Sequence, residues 1–111
     1  IFFIFYVIGA SGEDSLKLIR QANAWHWWFH QRHGAGPHLI LACDKNKFLS
    51  NETLQQVACR LVEYINKNKK MPGRYEMIAT QIRFVRPIKG AKAGLVTYQN
   101  ITTWQIDYPL V

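Results

Sequence analysis

Cysteine and acidic residues are scarce in this sequence, and long apolar runs are missing. The only two cysteines are Cys43 and Cys59. Two thiols make neither a disulfide framework nor a zinc site. Cys59 falls near the apolar face of a helical pattern, where a free thiol behaves as a small hydrophobe. A reducing, cytoplasmic setting is expected. The opening run "IFFIFYVI" is far shorter than the roughly 20 residues that span a bilayer. It also lacks the basic flank and small-residue cleavage site of a signal peptide. No membrane partner is expected, and the run reads as a buried strand entered part-way. With Ile1 as its first residue, the chain is expected to be a domain accompanied by others in a longer protein. The sequons at Asn51 and Asn100 would matter only in a secreted protein, and such triplets are common by chance, so they are discounted. Repeats, low-complexity tracts and internal linkers are absent.

Catalytic constellations are missing as well. No Ser-His-Asp order stands out, neither cysteine has an evident partner, and no pair of acids suits glycoside chemistry. The Walker pattern and the dinucleotide fingerprint are absent. The expectation is a protein that is not an enzyme and carries no cofactor.

The chain does hold enough apolar material for a modest core. It has 111 residues, 49% of them hydrophobic and 14% aromatic, which suits one folded domain over residues 1–111. Fourteen basic residues against seven acidic ones leave a net charge of +7. A surplus of that size favours polyanions: RNA, DNA or an anionic surface.

The pattern along the chain predicts β-α-β-β-α-β-β-β. Phe2 to Ile8 are β-branched or aromatic, as a buried strand requires. Glu13 and Asp14 suit the positive end of a short helix with Leu16, Ile19 and Ala22 on its apolar side. "AWHWWFHQ" alternates, sending Trp25, Trp27 and Phe29 one way and His26, Trp28 and His30 the other. A glycine-rich turn and a second strand, "HLILAC", follow. Asn51 to Lys69 carries the clearest signal: Leu54, Val57, Ala58, Leu61, Val62 and Ile65 form one helical stripe. Ser50 or Asn51 can cap it, and Pro72-Gly73 is expected to stop it. Beyond lies a long strand over "YEMIATQIRFVRP", with Ile78, Ile82 and Phe84 on one face. "LVTYQ" and "ITTWQIDY" read as a hairpin turning near Asn100. The fold class expected is α+β: a single domain with a mixed, mainly antiparallel sheet packed by two helices.

Two segments carry candidate chemistry. His26, His30, His33 and His38 crowd into a short stretch, but no carboxylate or cysteine lies among them to complete a metal site. Ordinary strand and loop histidines, or a pair touching a ligand, fit better. The second segment is basic. Arg83, Arg86, Lys89 and Lys92 straddle "PIKGAKAG", where Gly90 and Gly94 let the backbone approach a phosphate. Lysine adds a point charge there and arginine a bidentate fork. The plain alternative is a solvated hairpin loop.

"WWFHQRHGAGPHLIL" and "RFVRPIKGAKAGLVTY" together resemble the RNA-binding (R) domain of the NFACT family, with an amphipathic helix between them. "VIGASGEDSLKLIR" resembles that family's Gly-Arg-Asn opening more loosely. The matching positions are Trp28, His30, Gly36, His38, Lys89, Gly90, Lys92 and Gly94. Ala10 stands where the family has Arg, Ser15 where it has Asn, and Ala93 where it has Pro. The resemblance implies an RNA-binding module, contacting tRNA or rRNA, within a ribosome-associated quality control factor that acts on stalled large ribosomal subunits. His30, His38, Arg83, Arg86, Lys89 and Lys92 are the expected nucleic-acid-binding residues. The alternatives are a general polyanion- or DNA-binding module, a domain that docks on protein, and, less favoured, a metal-dependent phosphodiester enzyme built on the histidines.

Overall fold

A computed structural model describes residues 5–110. Strand β1 (Phe5–Gly9) leads into helix α1 (Gly12–Gln21). Strands β2 (Trp27–Gln31) and β3 (His38–Ala42) precede helix α2 (Asn51–Ile65). Strand β4 (Gly73–Gln81), a short 3-10 turn (Ile82–Phe84) and strand β5 (Val85–Pro87) come next. Strands β6 (Val96–Tyr98) and β7 (Thr102–Tyr108) follow. The first expected strand is present from Phe5 onward, and its earlier residues lie outside the described part; it is not the buried strand expected, because it lies at the sheet edge with Phe5 and Tyr6 exposed.

Five strands form one sheet in the order β1-β3-β2-β4-β7, and β5 and β6 form a second, small one. The α+β class, the two helices and the mainly antiparallel sheet are as the pattern predicts, and each of the five strand pairings runs antiparallel.

Apolar side chains fill both faces of the large sheet. Helix α2 covers one face. Its stripe residues Leu54, Val57, Ala58, Leu61 and Val62 are buried against Phe29, Leu39, Leu41, Met77, Trp104 and Ile106. Ile65 packs at the edge of that layer. The other face lies under α1 and the small sheet, with Ile19, Trp28, Ile40, Ile78, Ile82 and Val85 buried together. The alternation in β2 sorts as its period dictates: Phe29 and Trp27 join the α2 layer, and Trp28 joins the α1 layer.

Both helices start on a serine. The Asp14 amide donates to the Ser11 hydroxyl at 3.1 Å, and the Thr53 amide to the Ser50 hydroxyl at 3.1 Å, satisfying donors that have no partner within the helix. Helix α2 ends at Ile65, short of the predicted Lys69, and the cause is Asn66. Its buried side chain donates to the Val62 carbonyl at 2.9 Å and accepts from the Met71 amide at 2.7 Å. That amide turns the chain away before Pro72 is reached. Lys67, Lys69 and Lys70 therefore lie beyond the helix, whose last turn holds no basic residue.

The C-terminal third also departs from the pattern. The long strand expected through Pro87 breaks at the 3-10 turn, where the Ile82 and Arg83 amides donate to the His26 and Ala24 carbonyls at 2.8 and 3.0 Å. The expected β6-β7 hairpin does not form. Asn100, at φ 55, takes the chain from one sheet to the other, and the Thr80 hydroxyl, donating to the Gln99 carbonyl at 2.8 Å, holds the crossing. Strand β6 pairs with β5, and β7 with β4. No helix among the described residues is long and apolar enough to cross a membrane.

Leu61 and Asn66 hold α2 by different means. Leu61→Ala should lower unfolding free energy by about 2–5 kcal/mol through loss of packing. Asn66→Ala should lower it by about 1–3 kcal/mol, because it removes the side-chain bonds to Val62 and Met71 from a buried position. Urea titration followed by circular dichroism measures both. An Asn66→Ala protein as stable as the parent would show that Asn66 does not hold the helix end.

Candidate nucleic-acid interface

His30 and His38 come together. The register of β2 on β3 pairs Phe29 with Leu39, and one step further it sets His30 opposite His38. Their rings lie 4.4 Å apart, centroid to centroid. The Trp28 indole N–H donates to His38 Nδ1 at 2.9 Å, and the Trp28 ring lies nearly parallel to that of His30. Tyr98, from the small sheet, packs on the same indole with centroids 5.4 Å apart. His30 Nε2 lies 3.2 Å from the Gly36 carbonyl. A carbonyl only accepts, so that nitrogen carries a proton.

The same reasoning fixes His38. An indole only donates, so His38 Nδ1 must be bare, and the neutral ring carries its proton on Nε2. Protonating Nδ1 would face one donor with another. Burial, then the neighbouring His30, push the His38 pKa down to about 4, and the Gly94 backbone acts in the other direction. Burial also lowers the His30 pKa.

The basic segment forms the tip of the β5-β6 hairpin. Two consecutive turns shape it, with the Ala91 amide donating to Ile88 and the Leu95 amide to Lys92, both at 3.2 Å. Gly90 (φ 79) and Gly94 (φ 95) occupy the third position of each turn, where the positive φ of a type II turn favours glycine. Gly94 has a second constraint. Gly12, at the start of α1, lies so close that a Cβ built on it would sit 2.2 Å from the Ala93 carbonyl oxygen. A Cβ on Gly94 would come within 2.9 Å of the Gly12 Cα. Helix α1 and the basic tip thus meet backbone to backbone.

Arg83, Arg86, Lys89 and Lys92 are all exposed. None belongs to an ion pair among the described residues. Arg86 commits one nitrogen to the fold: its Nη1 donates to the carbonyls of Arg83 and Val85 at 2.8 and 2.9 Å. It is both a clasp on the 3-10 turn and a surface cation.

The other two histidines are elsewhere. His26 accepts from the Asn23 amide through Nδ1 at 3.3 Å, and His33 lies 3.4 Å from the Glu76 carboxylate. Among the described residues no group of three or more His, Cys, Asp or Glu could hold a metal ion. Trp28, Tyr98 and Gly12 complete the site but are not singled out as binding residues by sequence reasoning. The signal for Trp28 is its place two residues before His30, on the same face of one strand. Tyr98 and Gly12 have no local signal.

The His38 geometry has a pH signature. The folded pKa lies below the ordinary 6.5, so the unfolded chain takes up the proton first as pH falls. The stability from neutral His38 is fully present above pH 6.5 and is lost as pH falls toward about 4, by on the order of 3 kcal/mol. His38→Gln, which can still accept from Trp28, should flatten that part of the stability curve, as measured by urea unfolding at several pH values. Parallel curves for the two proteins would refute it. Gly12→Ala should separate the tip from α1, raising amide exchange across 88–95 in hydrogen-exchange mass spectrometry while leaving α2 protected. Unchanged exchange would mean that the close approach is not what holds the tip.

No family model and no curated protein matches this chain. Its fold is similar to the solved structure of the C-terminal of the fibronectin/fibrinogen-binding protein from Streptococcus suis, at 18% identity and a TM-score of 0.73. The match covers 92% of this chain and 40% of that one, so the likeness is one of fold over less than half of a longer chain.

Proposed function

We propose that this domain is an RNA-binding module, contacting tRNA or rRNA as part of a ribosome-associated quality control factor of the NFACT type. One observation carries the reading. The two segments that resemble the R domain, distant in sequence, pack on each other: Tyr98, from the hairpin that exposes Lys89 and Lys92, lies on Trp28, which stacks with His30 and donates to buried His38. These cations have no acidic partner among the described residues. The backbone at the tip is held by paired turns and by Gly12, so an RNA phosphate meets donors already in place.

Buried His38 acts in this reading as a neutral support beside half-buried His30, since a ring held uncharged by Trp28 gives a phosphate little attraction. Phosphate attraction is sequence-blind, and a general polyanion- or DNA-binding role rests on the same lysines. The similar S. suis protein binds fibronectin and fibrinogen, as its name states. Docking on such a protein is a further reading, for which no particular residue of this chain speaks.

Titration against a tRNA at several salt concentrations tests the proposal. Affinity should fall with salt by a log–log slope of about −0.7 per phosphate neutralised on a single strand. Lys89→Ala combined with Lys92→Ala should flatten that slope by about one to two units without unfolding the domain. Equal slopes for parent and variant end the hypothesis. Equal affinity for duplex DNA favours the polyanion reading. Saturable, salt-insensitive binding of fibronectin, with none of tRNA, favours protein docking.

A further inference from the structure

A second cationic surface lies on the α2 side of the sheet, across from the hairpin tip. The last turn of α2, the start of β1 and the end of β7 border a shallow, open groove of about 700 Å³. Tyr6, Tyr64 and Tyr108 line it. Tyr6 and Tyr64 are each 38% exposed, so these rings are only partly covered by the fold. The cations Arg60, Lys67 and Lys70 line the same groove.

Its one acid, Glu63, is paired with Arg60. Lys67 and Lys70 have no ion-pair partner among the described residues. They stand there because Asn66 ends α2 early and sends the lysine-bearing segment past the helix end. The lining is therefore aromatic with a net positive charge. Aromatic rings beside unpaired lysines are the chemistry that takes a base and its phosphate together. An acidic peptide would use the lysines but leave the tyrosine rings without a planar partner.

We propose that this groove binds single-stranded nucleic acid, with a base stacked on Tyr64 or Tyr6 and the phosphate met by Lys67 and Lys70. The domain then carries two nucleic-acid contacts on opposite faces of its sheet. One belongs to the hairpin tip, and the other is a stacking groove that favours unpaired strands, whose bases alone are free to insert.

The experiment is a titration of ¹⁵N-labelled protein with a short oligouridylate, followed by amide chemical shifts and repeated with Tyr64→Ala and with Lys67→Ala plus Lys70→Ala. Shifts should appear in 60–70 and at Tyr6, and Tyr64→Ala should weaken them about tenfold in affinity. A blunt-ended duplex of two strands, without unpaired bases, should leave these amides unmoved. Shifts at 86–95 alone overturn the groove and leave the proposed function standing. Shifts at the groove alone support the groove and count against the tip. No shifts at either end both. Shifts at 60–70 that survive Tyr64→Ala but vanish with the lysine pair overturn the stacking proposal, and an acidic peptide that matches the oligouridylate in affinity overturns it too.

Discussion

The buried N–H of Trp28 has to find an acceptor, and much of the site follows from where it finds one. The indole is fully enclosed between the large sheet and the small one, where an unpaired donor would cost on the order of 1–3 kcal/mol. Its partner is His38 Nδ1. That bond fixes the histidine as neutral, sets which nitrogen carries the proton, and anchors the layer on which Tyr98 and His30 pack. Because Tyr98 belongs to β6, the same bond helps to determine where the basic hairpin lies. A surface feature is thus positioned by a buried polar contact.

The second constraint is the backbone approach of Gly12 to Ala93 and Gly94. A side chain at Gly12 would overlap the Ala93 carbonyl. Without one, the start of α1 and the cationic tip meet backbone to backbone. The lysines themselves stay exposed, while the turns that carry them are held by hydrogen bonds from Ala91 and Leu95.

Burying both faces of the sheet separates two kinds of surface. Helix α2 and its apolar stripe close one face, and the early stop at Asn66 leaves lysines beside a tyrosine-lined groove. Helix α1 and the small sheet close the other face, and their junction presents the basic tip. The net charge of +7 is thus met at separate places and not as one uniform field.

The helical stripe of α2, the serine caps and the alternation of β2 were legible in the sequence, because each depends on residues within a few positions of one another. The turn glycines Gly90 and Gly94, and the meeting of His30 with His38 across a short hairpin, were nearly as local. The switch at Asn100 was not legible, since "LVTYQ" and "ITTWQIDY" alternate equally well as partners of each other. Their separation into two sheets is decided by the Thr80 hydroxyl and by β4, whose edge offers β7 seven paired positions. The early end of α2 was hidden for the same reason: Asn66 looks helical until Met71 folds back onto it. The sequence by itself determined the two helices, the apolar face of α2, the alternation of β2 and the surplus of positive charge, all set by short-range periodicity and composition. Only the tertiary structure decided that Trp28 locks His38 and that Gly12 meets Gly94, because those contacts join residues whose spacing in the chain carries no period.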